Sequence, residues 1–152
     1  MKKIITKSAG ETKEFAKKTA KSLKAGDMLG LVGDLGGGKT TFIKGLAEAF
    51  GIKQEVLSPT FTLIKEYKII QNTKHKTQKV KKIYHLDLYR LRTKREAEEL
   101  GLGELFNEEQ AIFVIEWADK IKNFLPKRTK WLEFDFVNEN TRKIIIKNDQ
   151  LI

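Results

Sequence analysis

The stretch with the clearest chemistry is Gly33-Asp34-Leu35-Gly36-Gly37-Gly38-Lys39-Thr40-Thr41, which fits G-x-x-x-x-G-K-[ST]. Glycines in such a loop allow positive φ and close backbone approach, so successive N–H groups can turn onto phosphate oxygens. A helix that begins where the loop ends adds its own unpaired N–H groups and its positive dipole end. In that arrangement Lys39 bridges the β- and γ-phosphates, and the Thr40 hydroxyl sits on Mg²⁺. Composition alone produces the pattern in about one chain of this length in 200, so the flanking elements decide its weight. They agree with it. Met28-Leu29-Gly30-Leu31-Val32 reads as a short buried strand, and residues 41–50 carry a helical stripe of Phe42, Ile43, Leu46, Ala47 and Phe50.

Two carboxylates stand where the other half of such a site belongs. Ala111-Ile112-Phe113-Val114-Ile115 is an unbroken apolar run, as in a parallel strand buried on both faces, and it ends in Glu116. An acid at the end of such a strand, beside a phosphate loop, helps hold Mg²⁺. Asp87 falls near the end of a strand expected over residues 81–90, where it shares a face with His85. It is a second metal-site candidate, with a solvated or lysine-paired carboxylate as the equal alternative. Thr60 follows Ser58-Pro59, where a loop threonine can sense the γ-phosphate in nucleotide hydrolases. Position alone favours a hydroxyl that closes a turn. Trp117 either covers the site or fills core. His75 and His85 are too few for a zinc site, and His85 reads as structural.

The elements that must position these groups alternate between strand and helix. An edge strand is expected over residues 2–6. Ser8-Ala9-Gly10-Glu11 is a capping box for a helix whose buried face is Phe15, Ala16, Thr19, Ala20 and Leu23, ended by Gly26-Asp27. Pro59 bends the chain into a strand over residues 61–67. Residues 71–79 read as a lysine-rich surface loop. Thr93-Lys94-Arg95-Glu96 caps a short helix through Leu100, followed by a turn or helical piece at 102–106. A short helix over 118–124 stops before Pro126. Strands over 131–136 and 142–147 flank a hairpin turn at 138–140. The fold class is therefore α/β: a P-loop NTPase-like three-layer sandwich with a mixed, partly parallel central sheet, expected as a single P-loop ATPase domain over residues 1–152.

Composition sets limits on this reading. At 152 residues, 40% hydrophobic and 33% charged, the chain has the balance of a soluble globular domain. It has no cysteine, which excludes disulfides and thiolate metal sites and suits a reducing cytosol. The N-terminus lacks a signal-peptide pattern, and no apolar run approaches the ~20 residues that span a bilayer. A cytoplasmic location with no membrane association is expected. The net charge of +10 fits contact with RNA or another polyanion, and equally fits lysines spread over solvated faces.

Five blocks taken together resemble one family. Residues 33–42, Ser58-Pro59-Thr60-Phe61-Thr62-Leu63, His85-Leu86-Asp87-Leu88-Tyr89-Arg90-Leu91, Glu99-Leu100-Gly101-Leu102 and Val114-Ile115-Glu116-Trp117 stand in the order and spacing of the TsaE (YjeE-type) bacterial ATPases. The resemblance spans about residues 8–126. It implies a small Mg²⁺-dependent ATPase that acts in making threonylcarbamoyladenosine beside the tRNA anticodon. It also implies TsaB- and TsaD-type protein partners, with tRNA met indirectly or by weak contact. On that resemblance residues 35–40 bind ATP, Thr40 and Glu116 lie on the Mg²⁺ side, Asp87 orders a metal-bound or attacking water, and Thr60 senses nucleotide. Two features depart from the pattern: Gly37 stands where the family often has alanine, and the 71–79 loop is longer than usual.

The competing readings differ in class. GTP is disfavoured by the lack of an N-K-x-D motif. A small-molecule or nucleoside kinase would use Arg90, Arg92 and Arg95 as a phosphate clamp, but little chain remains for an acceptor pocket. A non-hydrolysing, nucleotide-gated RNA-binding module would use the basic surface.

Overall fold

Two strands with no ionisable residue before their last position form the middle of the molecule. They are β2 (Met28–Val32) and β5 (Ala111–Glu116). Side chains so uniformly apolar must be covered on both faces. A computed structural model describes residues 1–59, 63–70 and 79–148. Among these, β1 (Lys2–Thr6), β3 (Ile64–Lys68), β4 (Lys82–Asp87), β6 (Lys130–Phe136) and β7 (Arg142–Ile146) complete a sheet of order β1-β7-β6-β2-β5-β4-β3. The pairs β2–β5, β2–β6 and β4–β5 are parallel, and β1–β7, β6–β7 and β3–β4 are antiparallel. The expected mixed, partly parallel sheet is the one observed.

Helices α1 (Ala9–Ala20) and α2 (Lys39–Ala49) cover one face of the sheet. Helices α3 (Lys94–Glu99) and α4 (Leu102–Leu105), with a 3-10 turn at Ala118–Ile121, cover the other. The alternation of β5 decides the split: Ile112 and Val114 join the core under α1 and α2, while Ala111, Phe113 and Ile115 join the opposite one. By the same parity Glu116 faces the α2 side, as do His85 and Asp87, which share the face of Ile83 in β4.

Both N-caps form as the sequence implies, with the glutamate's return bond made to the residue before the cap. Ser8 Oγ accepts from Glu11 N–H at 3.0 Å, and Glu11 accepts in return from Lys7 N–H. Thr93 Oγ1 accepts from Glu96 N–H at 3.2 Å, and Glu96 from Arg92 N–H. The packing of α1 on α2 is close because Gly45 lies at the crossing. A Cβ there would stand 2.7 Å from Lys13 Cα, Lys13 O and Ala16 Cβ.

Several boundaries differ from expectation. Helix α1 ends at Ala20 and tightens into i→i−3 bonds through Leu23, so it stops short of Gly26. Helix α2 starts at Lys39, two residues early, because Gly38 in the left-handed region already turns the chain. Strand β4 ends at Asp87, where Tyr89 N–H folds back onto the Asp87 side chain. Strand β3 begins at Ile64. The helix expected at 118–124 is a single 3-10 turn, preceded by Trp117 at φ 59 and followed by an i→i−3 bond from Phe124 to Ile121. Most of the 71–79 loop lies outside the described residues. Among the described residues, no helix is long and apolar enough to cross a membrane.

Candidate functional site

The loop from Gly33 to Gly38 leaves the C-terminal end of β2 and enters α2. Gly33 has φ 140, and a Cβ on it would meet Phe134 O at 2.2 Å, so β6 passes against the loop backbone. Gly38 has φ 101 and stands at the N-cap of α2 with no side-chain cap. The first amides of α2 are therefore not taken up by a capping side chain, which is the arrangement that accepts an anion.

That helix end opens onto a cavity of about 380 Å³. Leu35 to Thr41 form one wall of it, Ser58, Asp87 and Glu116 another, and Trp117 and Arg142 line the remainder. It sits at the C-terminal ends of parallel strands, where open α/β sheets take their ligands. Gly33 and Asp34 are not part of its lining. Their carbonyls instead hold the Lys39 ammonium, which donates to Gly33 O and, at 3.0 Å, to Asp34 O. Lys39 is only 4% exposed, with its ammonium 4.5 Å from the centre of the Trp117 ring. Burial pushes its pKa down, and the charges of Glu116, Asp87, Asp34 and Asp119 oppose that fall.

Parallel pairing of β4 and β5 sets Asp87 directly opposite Glu116. Both carboxylates are buried, at 4% exposure each. Asp87 accepts from Ser58 Oγ at 2.5 Å and from Tyr89 N–H at 2.9 Å, one bond to each oxygen. Glu116 Oε1 lies 2.7 Å from His85 Nε2 and 3.5 Å from Thr40 Oγ1. Lys39, Thr40, Asp87 and Glu116, singled out from three separate stretches, thus border one hollow. Thr60 lies outside the described residues.

Two further residues line the cavity, and a third stands behind it. Ser58 had a sequence signal in the Ser-Pro-Thr block, but nothing there pointed to Asp87. Arg142 had none, since it reads only as the first residue of a strand. The β6–β7 hairpin brings it over the loop, so that a Cβ on Gly38 would lie 3.3 Å from Arg142 Cγ. Its Nη1 donates to the carbonyls of Asn138, Thr141 and Glu139 at 2.6, 3.0 and 3.3 Å. The third, His85, is fully buried with its Nε2 beside Glu116.

Comparison with known proteins gives the family and the fold. Residues 6–144 match the family model described as threonylcarbamoyl adenosine biosynthesis protein TsaE. A Bacillus subtilis (strain 168) tRNA threonylcarbamoyladenosine biosynthesis protein TsaE is 44% identical over 134 residues, 88% of this chain and 77% of the relative. The protein of the same name from Rickettsia bellii is 38% identical over 146 residues, covering 95% of this chain and 94% of its own length. A crystal structure of YdiB from Bacillus subtilis superposes with a TM-score of 0.74 at 38% identity, over 95% of this chain and 83% of that one. The fold is thus the P-loop NTPase-like α/β fold of that neighbour.

Proposed function

Because the chain belongs to the TsaE family of threonylcarbamoyl adenosine biosynthesis proteins, we propose that it is a Mg²⁺-dependent ATPase supporting that tRNA modification. It works with TsaB- and TsaD-type partners in the cytoplasm, and the threonylcarbamoyl transfer itself belongs to the partners. The observation that carries this reading is one cavity bordered by the uncapped end of α2, Lys39, Thr40 and two buried carboxylates.

The donor set suits the metal. Thr40, Asp87 and Glu116 offer hard oxygen ligands, and Mg²⁺ takes few of these, leaving the rest to water and phosphate. Thr40 and Glu116 would hold the ion, with Asp87 beside them. Bound Mg²⁺ supplies a positive centre that offsets charge on the β- and γ-phosphate oxygens.

The chain's own groups then have separate tasks. The amides of residues 35–40 bind the phosphates. Lys39 exchanges the Gly33 and Asp34 carbonyls for phosphate oxygens. Asp87, with one oxygen on Ser58 and the other on Tyr89 N–H, is oriented to accept a hydrogen bond from the attacking or metal-bound water. Thr60 remains the proposed nucleotide-sensing hydroxyl.

The test is ATP hydrolysis by the chain with and without the two partner proteins. Slow turnover alone and strong stimulation in the mixture are expected, since a charge supplied in trans is typically worth 10³–10⁵ in rate. Lys39→Ala should abolish the stimulated rate. Full activity of that variant in the assembled mixture would overturn the reading.

A further inference from the structure

His85 is a histidine where packing alone would choose leucine. It is 0% exposed, on the face of β4 that it shares with Ile83 and Asp87, and its Nδ1 has no hydrogen-bond partner among the described residues. Burying an unpaired polar atom is unfavourable, so the imidazole brings something that a hydrocarbon could not. What it brings is Nε2, 2.7 Å from Glu116 Oε1. The contact follows from the sheet: His85 pairs with Val114 across β4 and β5, and Glu116 is the next residue along on that face, its diagonal neighbour.

An ionised Glu116 can only accept, so Nε2 carries the proton and donates it. The only other hydrogen-bond partner of the Glu116 carboxylate among the described residues is Thr40 Oγ1, at a long 3.5 Å and on the same oxygen. Without His85, the carboxylate would be free to turn toward the Lys39 ammonium, whose charge already interacts with it.

We infer that His85 is a positioning residue for the metal: by holding Glu116 Oε1 it keeps the carboxylate turned toward a divalent cation beside Thr40. This rests on the nucleotide–metal reading above. Partners of ligating carboxylates behave in this way generally, and losing one typically costs about 10–100-fold in metal affinity or activity.

The test uses Mn²⁺, followed by electron paramagnetic resonance of the free ion, titrated into the full chain saturated with ADP. His85→Gln carries an amide N–H near the place of Nε2, whereas His85→Asn is too short to reach Glu116. His85→Met, which has no donor, replaces the Asn variant if that one does not fold. The Asn or Met variant should weaken Mn²⁺ binding about 10–100-fold, the Gln variant by less than about 3-fold. Metal-free ADP affinity should stay unchanged in all of them. Equal Mn²⁺ affinity in the donor-bearing and donor-lacking variants would overturn the inference, as would a parallel loss of metal-free ADP binding. Glu116→Gln in the same titration separates the two levels. If wild type binds Mn²⁺ no better than Glu116→Gln, the metal site itself fails, and His85's role fails with it.

Discussion

Arg142 is anchored before any ligand arrives, because three carbonyls of its own hairpin hold Nη1. A long side chain fixed in this way loses little further freedom on meeting an anion, and a planar guanidinium offers several donors at once. Its place on the cavity wall beside Gly38 adds a second cation to Lys39 in the lining. Arg142→Ala should therefore weaken ADP binding by about 10–100-fold, the range of a hydrogen bond to a charged group. Arg142→Lys should fall between, keeping charge but losing the fork. Calorimetric titration with ADP measures both, and unchanged affinity would reduce Arg142 to a brace for the hairpin. Lys39 and Thr40 were legible because the phosphate loop is a local pattern of seven or eight residues. Asp87 and Glu116 were legible because each follows a strand signal. Ser58 and His85 act through partners 29 and 31 positions away in the chain, and Arg142 reaches the site only by lying over Gly38, at the far end of the sequence; no local pattern encodes such pairings.

At the scale of elements, the α1–α2 crossing positions the helix whose N-terminus faces the cavity. Phe15 and Phe42 meet at 5.7 Å between ring centres, Phe42 and Phe134 at 5.5 Å, and Glu48 of α2 pairs with Lys13 and Lys17 of α1. Two effects compete at Gly45. Alanine is the better helix former by about 1 kcal/mol. Against that, its Cβ would lie 2.7 Å from the Lys13 backbone, which cannot move without displacing α1. Overpacking of this kind costs about 1–3 kcal/mol, and contact with backbone places the site at the upper end. Gly45→Ala should lower stability by about 1–2 kcal/mol net in urea unfolding; a stabilised variant would show that the helices separate easily. The existence and type of nearly every described element could be read from the chain, since apolar period and capping residues are local. Their ends could not, because backbone details decide them: Gly38 at φ 101 starts α2 early, and Trp117 at φ 59 replaces a helix by a 3-10 turn.

At the scale of the molecule, strand order was beyond the sequence. Nothing in β6 says that it lies beside β2, or that the last strand folds back between β6 and β1. Yet that order makes the site, because it gathers the ends of β2, β4 and β5 and the start of β7 around one cavity. A ligand there touches both helical layers' supports at once, so it should stabilise the whole fold and not one loop. The size of the effect follows from mass action: at ADP 100 times its dissociation constant the gain is about 2.7 kcal/mol. For a chain of this length that corresponds to a rise in Tm of about 5–10 °C. Mg²⁺ added with ADP should raise Tm further in wild type. Glu116→Gln should keep the ADP part and lose most of the Mg²⁺ part. Lys39→Ala should lose both. The +10 net charge adds a general attraction for the anion, which salt screens. A shift caused only by that general charge would therefore vanish in 0.5 M salt, be matched by sulfate at equal ionic strength, and survive Lys39→Ala. The specific site predicts the reverse on each count, because buried carboxylates and amides fixed at a helix end are screened far less than surface lysines.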